Sequence, residues 1–431
     1  MRLLNYSTKL RVMKKLILIL ILAVVTTALT TVTAQTNGTD NIVGKNYTID
    51  SKLLNEERTI RVYTPDSYES SPEKKYPVIY LLDGQRLFLH GVSVVQSFTS
   101  QFQLSPDIIV VGINNKYPDR FNHFLGSEFL DFIEKELIVL IENNYRTTSE
   151  RLLFGWEYAG AYVIESMIKR PHLFDAHLAA SPYPIHEERS ENKSRIEQLA
   201  DKLSSPLSSF LYYTVSANEG MVQDGTNELT NLLENKAPNS LQWRYRVIEG
   251  EEHRSTAYAT IYHGLRQFYH NYPTLQFKDL SEFKTQGGIS YVYKYYKERA
   301  KRFGFSEDLT PWTMFSLSRN AIRADSFADF ELLMNEFKDK GMINKIRLSR
   351  AMSLALYYSK NNKHNEALHI YKQLIIKNSD SALLQNTIGD VYVTLKENKK
   401  AKSYYKKAVA LAKAQKDAKL VEYKNDLKKI N

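Results

Sequence analysis

The chain contains no cysteine. That excludes disulfide staples, thiolate metal sites and thiol catalysis, and it excludes a lipid-modified cysteine behind a leader. Phosphate loops, dinucleotide fingerprints and clusters of metal-ligating residues are absent too, so neither a cofactor nor a metal is expected. Long apolar runs are almost lacking. The clear case, LILILILAVV (Leu16 to Val25), follows Lys14 and Lys15 and gives way to small and hydroxylated residues ending in VTA-Q. It is short for a bilayer span and has the layout of a signal peptide, residues 1–34, with cleavage expected after Ala34. Retention as an amino-terminal anchor stays open as the alternative. The chain therefore reads as exported, periplasmic or secreted, with no stable membrane span once that segment is removed.

What is present is ordinary globular material. The 431 residues are 43% hydrophobic and 25% charged, enough for two or three domains with ample core. The formal net charge is +10, and lysines crowd the last stretch, LKENKKAKSYYKKAVALAKAQKDAKLVEYKNDLKK. Lysines spaced along helices usually form a solvated face, and an exported protein meets little nucleic acid, so no nucleic-acid partner is expected.

After a polar lead-in at 35–45 (QTNGTDNIVGK), YTIDSKLLNEERTIRVYTP alternates apolar and polar residues around Asn55-Glu56-Glu57, the pattern of antiparallel strands. YPVIYLLDG and PDIIVVGINN are continuous apolar runs, as in strands buried on both faces, RLLFGW reads as a third, and FDAHLAASP, FLYYTVSANEG and LQWRYRVIEG supply further strands. EFLDFIEKELIVLIENNY and AYVIESMIKRP carry helical spacing between them. This alternation predicts an α/β fold with a mostly parallel sheet over residues 46–275. Ligand chemistry in such sheets gathers at the carboxyl ends of the strands, here Asp83-Gly84-Gln85, Asn114-Asn115, Trp156-Glu157-Tyr158, Asn218-Glu219 and Glu252-His253.

Beyond residue 275 the strand signal stops. A helical linker is expected over 276–312 and a helical repeat over 313–431. Ala355 and Gly389, Tyr358 and Tyr392, Ala367 and Ala401, and Tyr371 and Tyr405 are each 34 residues apart, the tetratricopeptide period. Shifting back by the same period gives Ala321, Ala324, Leu333 and Phe337 as a weaker third unit. Such an array is an interaction surface for a protein partner.

The segments ERTIRVYTP, YPVIYLLDGQRLF, IIVVGINN, FLDFIEKELIVLIENNYRT, FGWEYAG, KRPHLFDAHLAASP, VSANEG and EGEEHRS resemble, in order and spacing, the esterase branch of the α/β-hydrolases, the family of enterochelin esterases and esterase D. The resemblance implies an α/β-hydrolase fold followed by tetratricopeptide-like helices. It also implies a serine, a carboxylate and a histidine in that chain order. His253 matches the histidine, and Glu219 matches the acid, with Asp224 a near rival. Backbone amides of Tyr158 and Gln85 would form the oxyanion hole. Trp156, Asp83, Asn115 and Arg120 would line a ligand pocket. At the nucleophile elbow FGWEYAG, however, Glu157 stands where the family has serine. The chain is therefore expected to be a degenerate esterase that binds or scaffolds. One alternative is an active ester hydrolase on a siderophore, acyl sugar or similar ester, using Glu157 or a water held by Glu157 and His253. A structural assembly protein is the other. The expected ligand is a small-molecule ester or a glycan.

Overall fold

The computed structural model describes residues 38–116, 118–187, 193–203 and 207–430, apart from the side chains of Gln101 and Phe102. The expected signal peptide, 1–34, lies outside the described residues. Eight strands form one sheet: β1 (Lys45–Ser51), β2 (Glu56–Tyr63), β3 (Tyr76–Leu82), β4 (Ile109–Ile113), β5 (Thr147–Trp156), β6 (Ala176–Ala180), β7 (Ser209–Ser216) and β8 (Leu241–Ile248). Their order is β1-β2-β4-β3-β5-β6-β7-β8. β1 and β2 pair antiparallel, β2 meets β4 antiparallel, and from β4 to β8 every neighbour is parallel.

The apolar runs explain the layering. β3, β4, β6 and β7 are buried along their whole length, because helices cover both faces of the sheet. Helix α1 (Gly84–Ser97) packs on β3 and β4, α3 (Tyr158–Lys169) on β5 and β6, and α5 (Thr256–Phe268) on β6 and β7. Two further helices matter for the site, α2 (Asp119–Leu125) and α4 (Met221–Lys236). β1 and β8, at the sheet margins, alternate or stay exposed. The helix EFLDFIEKELIVLIENN runs through Glu128–Asn144 with a wider π-type turn at Ile133–Leu137. Among the described residues no helix is long and apolar enough to cross a membrane.

A second apolar cluster begins at Phe277 and continues to Tyr405, built by helices and the loops that join them, with no strand. The connector that joins the two cores is captured from the helical side. Arg302 of α6 (Gly288–Phe303) donates to the Phe268 carbonyl at 2.8 Å, and Arg299 to the Tyr272 carbonyl at 2.8 Å. Tyr295 donates to the carbonyl of Pro273, Thr313 to that of Leu275, and Asn320 to that of Phe277. Five carbonyls between Phe268 and Phe277 are thus satisfied by side chains, which makes this stretch a fixed joint. Residues 44–431 accordingly form one compact unit.

Three helical hairpins follow: α7 (Pro311–Arg323) with α8 (Phe327–Glu336), α9 (Leu348–Lys360) with α10 (His364–Lys377), and α11 (Ala382–Thr394) with α12 (Asn398–Ala414). A last helix, α13 (Leu420–Lys429), closes the array. The starts of α9 and α11, and of α10 and α12, are 34 residues apart, whereas α7 to α9 and α8 to α10 measure 37. The 34-residue shift to Ala324 and Phe337 is therefore one helical turn out of register. Residues 337–347 make a longer connection than 378–381, and a period read from the last two hairpins cannot see it.

Small residues let these hairpins close. A Cβ on Gly389 would come within 2.5 Å of the Tyr405 ring, and that ring is fixed by a 2.7 Å bond from its hydroxyl to Asp390. Gly389→Val should destabilise the array by about 2–3 kcal/mol through overpacking. Thermal unfolding followed at 222 nm would register it as an early loss of helical signal, with the sheet domain melting as before.

Candidate active site at the strand ends

β5 ends in a turn so tight that α3 folds straight back over it. A Cβ on Gly155 would lie 2.3 Å from the Ala159 carbonyl oxygen, and one on Gly160 would lie 2.8 Å from that of Ala180. Between these two glycines sits Glu157, with φ 61° and ψ −121°. A non-glycine residue in that region carries strain of roughly 1–3 kcal/mol and persists only where its surroundings hold it. Here the Glu157 amide donates to Ala180, while its carbonyl accepts from Ala161 and Tyr183. The elbow geometry is real, and its apex is a carboxylate.

That carboxylate turns toward α2. Its Oε2 lies 3.2 Å from Arg120, and no hydrogen bond joins Glu157 to His253. Arg120 is itself clamped by Asp83, Nε to Oδ1 and Nη2 to Oδ2, both at 2.9 Å. Burial works against the Arg120 charge, but Asp83 and Glu157 outweigh it and raise its pKa above the ordinary value. Asp83 and Asn115, expected to line a ligand pocket, are buried; Asp83 is held by Arg120, while Asn115 Nδ2 has no partner among the described residues. Asn115 Oδ1 accepts from the Asp83 amide, and its backbone exchanges two bonds with the Gln85 side chain.

The acid and the imidazole do meet. His253 Nδ1 lies 2.7 Å from Glu219 Oε2. Asp224, the rival, is exposed in the first turn of α4 and is not the partner. Glu219 also accepts from Ser181 at 2.8 Å and from the Ser216 amide at 2.6 Å. Burial pushes the Glu219 carboxyl up, yet the bonds from His253, Ser216 and Ser181 together hold it below its ordinary value. Trp156 braces the histidine loop by donating its indole N–H to the His253 carbonyl at 2.7 Å. Arg86 stacks on that indole at 4.4 Å and donates to the Arg254 carbonyl. Tyr158 and Gln85 open α3 and α1, so both amides belong to first turns with no intrahelical acceptor.

Sequence reasoning missed Arg86, Ser181 and Thr256, whose hydroxyl meets Ser181 at 2.7 Å. A sequence signal for Ser181 was its position directly after the β6 run; the structure adds a positive φ of 42°.

The family model described as "Putative esterase" matches residues 51–274, more than half of the chain. The chain belongs to the esterase family. A tetratricopeptide repeat model matches residues 382–415, the α11–α12 hairpin. The esterase domain is 23% identical over 247 residues to the ferri-bacillibactin esterase BesA of Bacillus subtilis (strain 168), covering 49% of this chain and 85% of that protein. It is 29% identical over 135 residues to the uncharacterized protein YbbA of the same organism, covering 27% of this chain. The match spans 53% of the length of YbbA. Among solved structures, an uncharacterised protein from Capnocytophaga ochracea DSM 7271 superposes with a TM-score of 0.52 at 19% identity, covering 85% of this chain and 93% of that one. This likeness is one of fold, and it extends past the sheet into the helices.

The Glu219 bonds give a pH signature. Its carboxyl sits lower in the folded state than its ordinary value of 4.5, so the stabilisation is present above pH ~4.5 and fades as pH falls through the folded value. Glu219→Gln should cost about 1–3 kcal/mol at neutral pH, and the gap to the parent should narrow below pH ~4.5. Urea titrations at several pH values would measure it.

Proposed function

We propose that this protein is an exported, catalytically degenerate member of the esterase family, which binds a small-molecule ester or glycan and docks a protein partner through its helical repeats. One observation carries the reading: the elbow carboxylate is paired with Arg120, not with His253. A serine nucleophile works because the imidazole can take its proton, so nucleophile and base must touch. A glutamate needs no base, but it is longer than serine and repels the oxyanion that forms on an attacked carbonyl. Its pairing with Arg120 also lowers its nucleophilicity and draws it toward α2. The relationship to BesA adds siderophore esters to the ligand classes worth testing.

The formed Glu219–His253 pair favours a second reading, slow hydrolysis through a water activated by His253. Degeneracy predicts that turnover of p-nitrophenyl acetate and of an acetylated or feruloylated sugar matches that of His253→Ala. Glu157→Ser should gain hydrolysis at least about a hundredfold above the Glu157→Ser/His253→Ala double variant. Parent turnover that vanishes in His253→Ala would overturn the degenerate reading in favour of the second.

A further inference from the structure

The fixed joint between sheet and helices creates a cleft that the elbow does not use. It has a volume of about 660 Å³, within the range of small-ligand sites. Arg266 and His270 come to it from the end of α5, Gln276 from the connector, Gln286 from the helical side, and Tyr291 and Trp312 from α6 and α7. No carboxylate lines it. A second cavity of about 300 Å³ shares Gln103 and Thr274 with it and contains Asp107, whose carboxylate is taken by Ser67 and Lys74.

The chemistry of the lining is specific. Arg266 is exposed and makes no hydrogen bond or ion pair among the described residues. An unpaired guanidinium in a cleft without acids is a fork for a carboxylate. The imidazole of His270 uses Nδ1 on the Gln267 carbonyl, and its Nε2 has no hydrogen-bond partner among the described residues. Glutamine amides both donate and accept, which suits hydroxyl groups. Tyr291 is half-buried, its ring meets Phe277 and Tyr295, and its hydroxyl has no partner among the described residues, so it offers a partly covered ring with a polar tip. Trp312 is less available, because the Arg350 guanidinium already covers it at 4.4 Å.

We infer that this groove binds an acidic oligosaccharide, with the carboxylate of a uronic-acid residue on Arg266 and a sugar ring against Tyr291. The walls come from both halves of the molecule, so the site exists only while α6 and α7 hold the connector. It stands independently of whether the elbow hydrolyses anything.

Isothermal titration of the full chain with oligomers of galacturonate, glucuronate and mannuronate tests the proposal. At least one series should bind, and its carboxyl-reduced counterpart should bind at least about tenfold more weakly. Arg266→Gln should cause a similar loss. Tyr291→Ala should weaken binding and Tyr291→Phe should restore it, with melting curves confirming that each variant folds. Lys406→Gln, on the lysine-rich α12, should bind as the parent does. Absence of binding to all three series would overturn the inference. So would equal binding of the carboxyl-reduced oligomers, or a loss in Lys406→Gln as large as in Arg266→Gln, which would mark general attraction of polyanions.

Discussion

The ionic chain Asp83–Arg120–Glu157 organises the carboxyl edge of the sheet. Asp83 follows β3, Arg120 belongs to α2, and Glu157 caps β5, so one guanidinium ties α2 to the ends of two neighbouring strands. Asp83 is 3% exposed, and leaving such a carboxylate without its partner costs about 3–5 kcal/mol. Arg120 is therefore needed by the fold whatever the site does. Its second contact, to Glu157, fixes where the elbow carboxylate points.

Much of the fold was legible because it rests on burial. Strands covered on both faces must be apolar throughout, and β3 and β4 read that way directly. The strand ends likewise exposed Glu219 and His253 as candidates. What could not be read are contacts made across the fold by residues ordinary in their own neighbourhoods. Arg86 reaches the Arg254 carbonyl across 168 positions, and Ser181 meets Thr256 across 75. Asp83 and Asn115 lie where ligands bind in such sheets, yet both are buried, and the Asp83 carboxylate is committed to Arg120 on another element.

The helical half shows the same division. The 34-residue spacing follows from small residues and tyrosines that must meet, as Gly389 and Tyr405 do. The 37-residue spacing of the first hairpin follows from a loop, and loops obey no packing period. Between the halves, the connector gives its carbonyls to Arg299, Arg302, Tyr295, Thr313 and Asn320. A joint made of side chains reaching from α6 and α7 leaves little trace in local pattern.

The Glu219–His253 pair carries less functional weight than its form suggests. Glu219 accepts from Ser181 at the end of β6, from Ser216 at the end of β7 and from His253 before α5, so it fastens three loops at once. Trp156 and Arg86 secure the same histidine loop from the other side. A dyad bonded in this way persists for structural reasons even where no nucleophile uses it. Its presence thus cannot separate a working hydrolase from a degenerate one. The Arg120 contact of Glu157 bears on a different point: a carboxylate held there is not paired with the imidazole, whichever reading of the dyad holds.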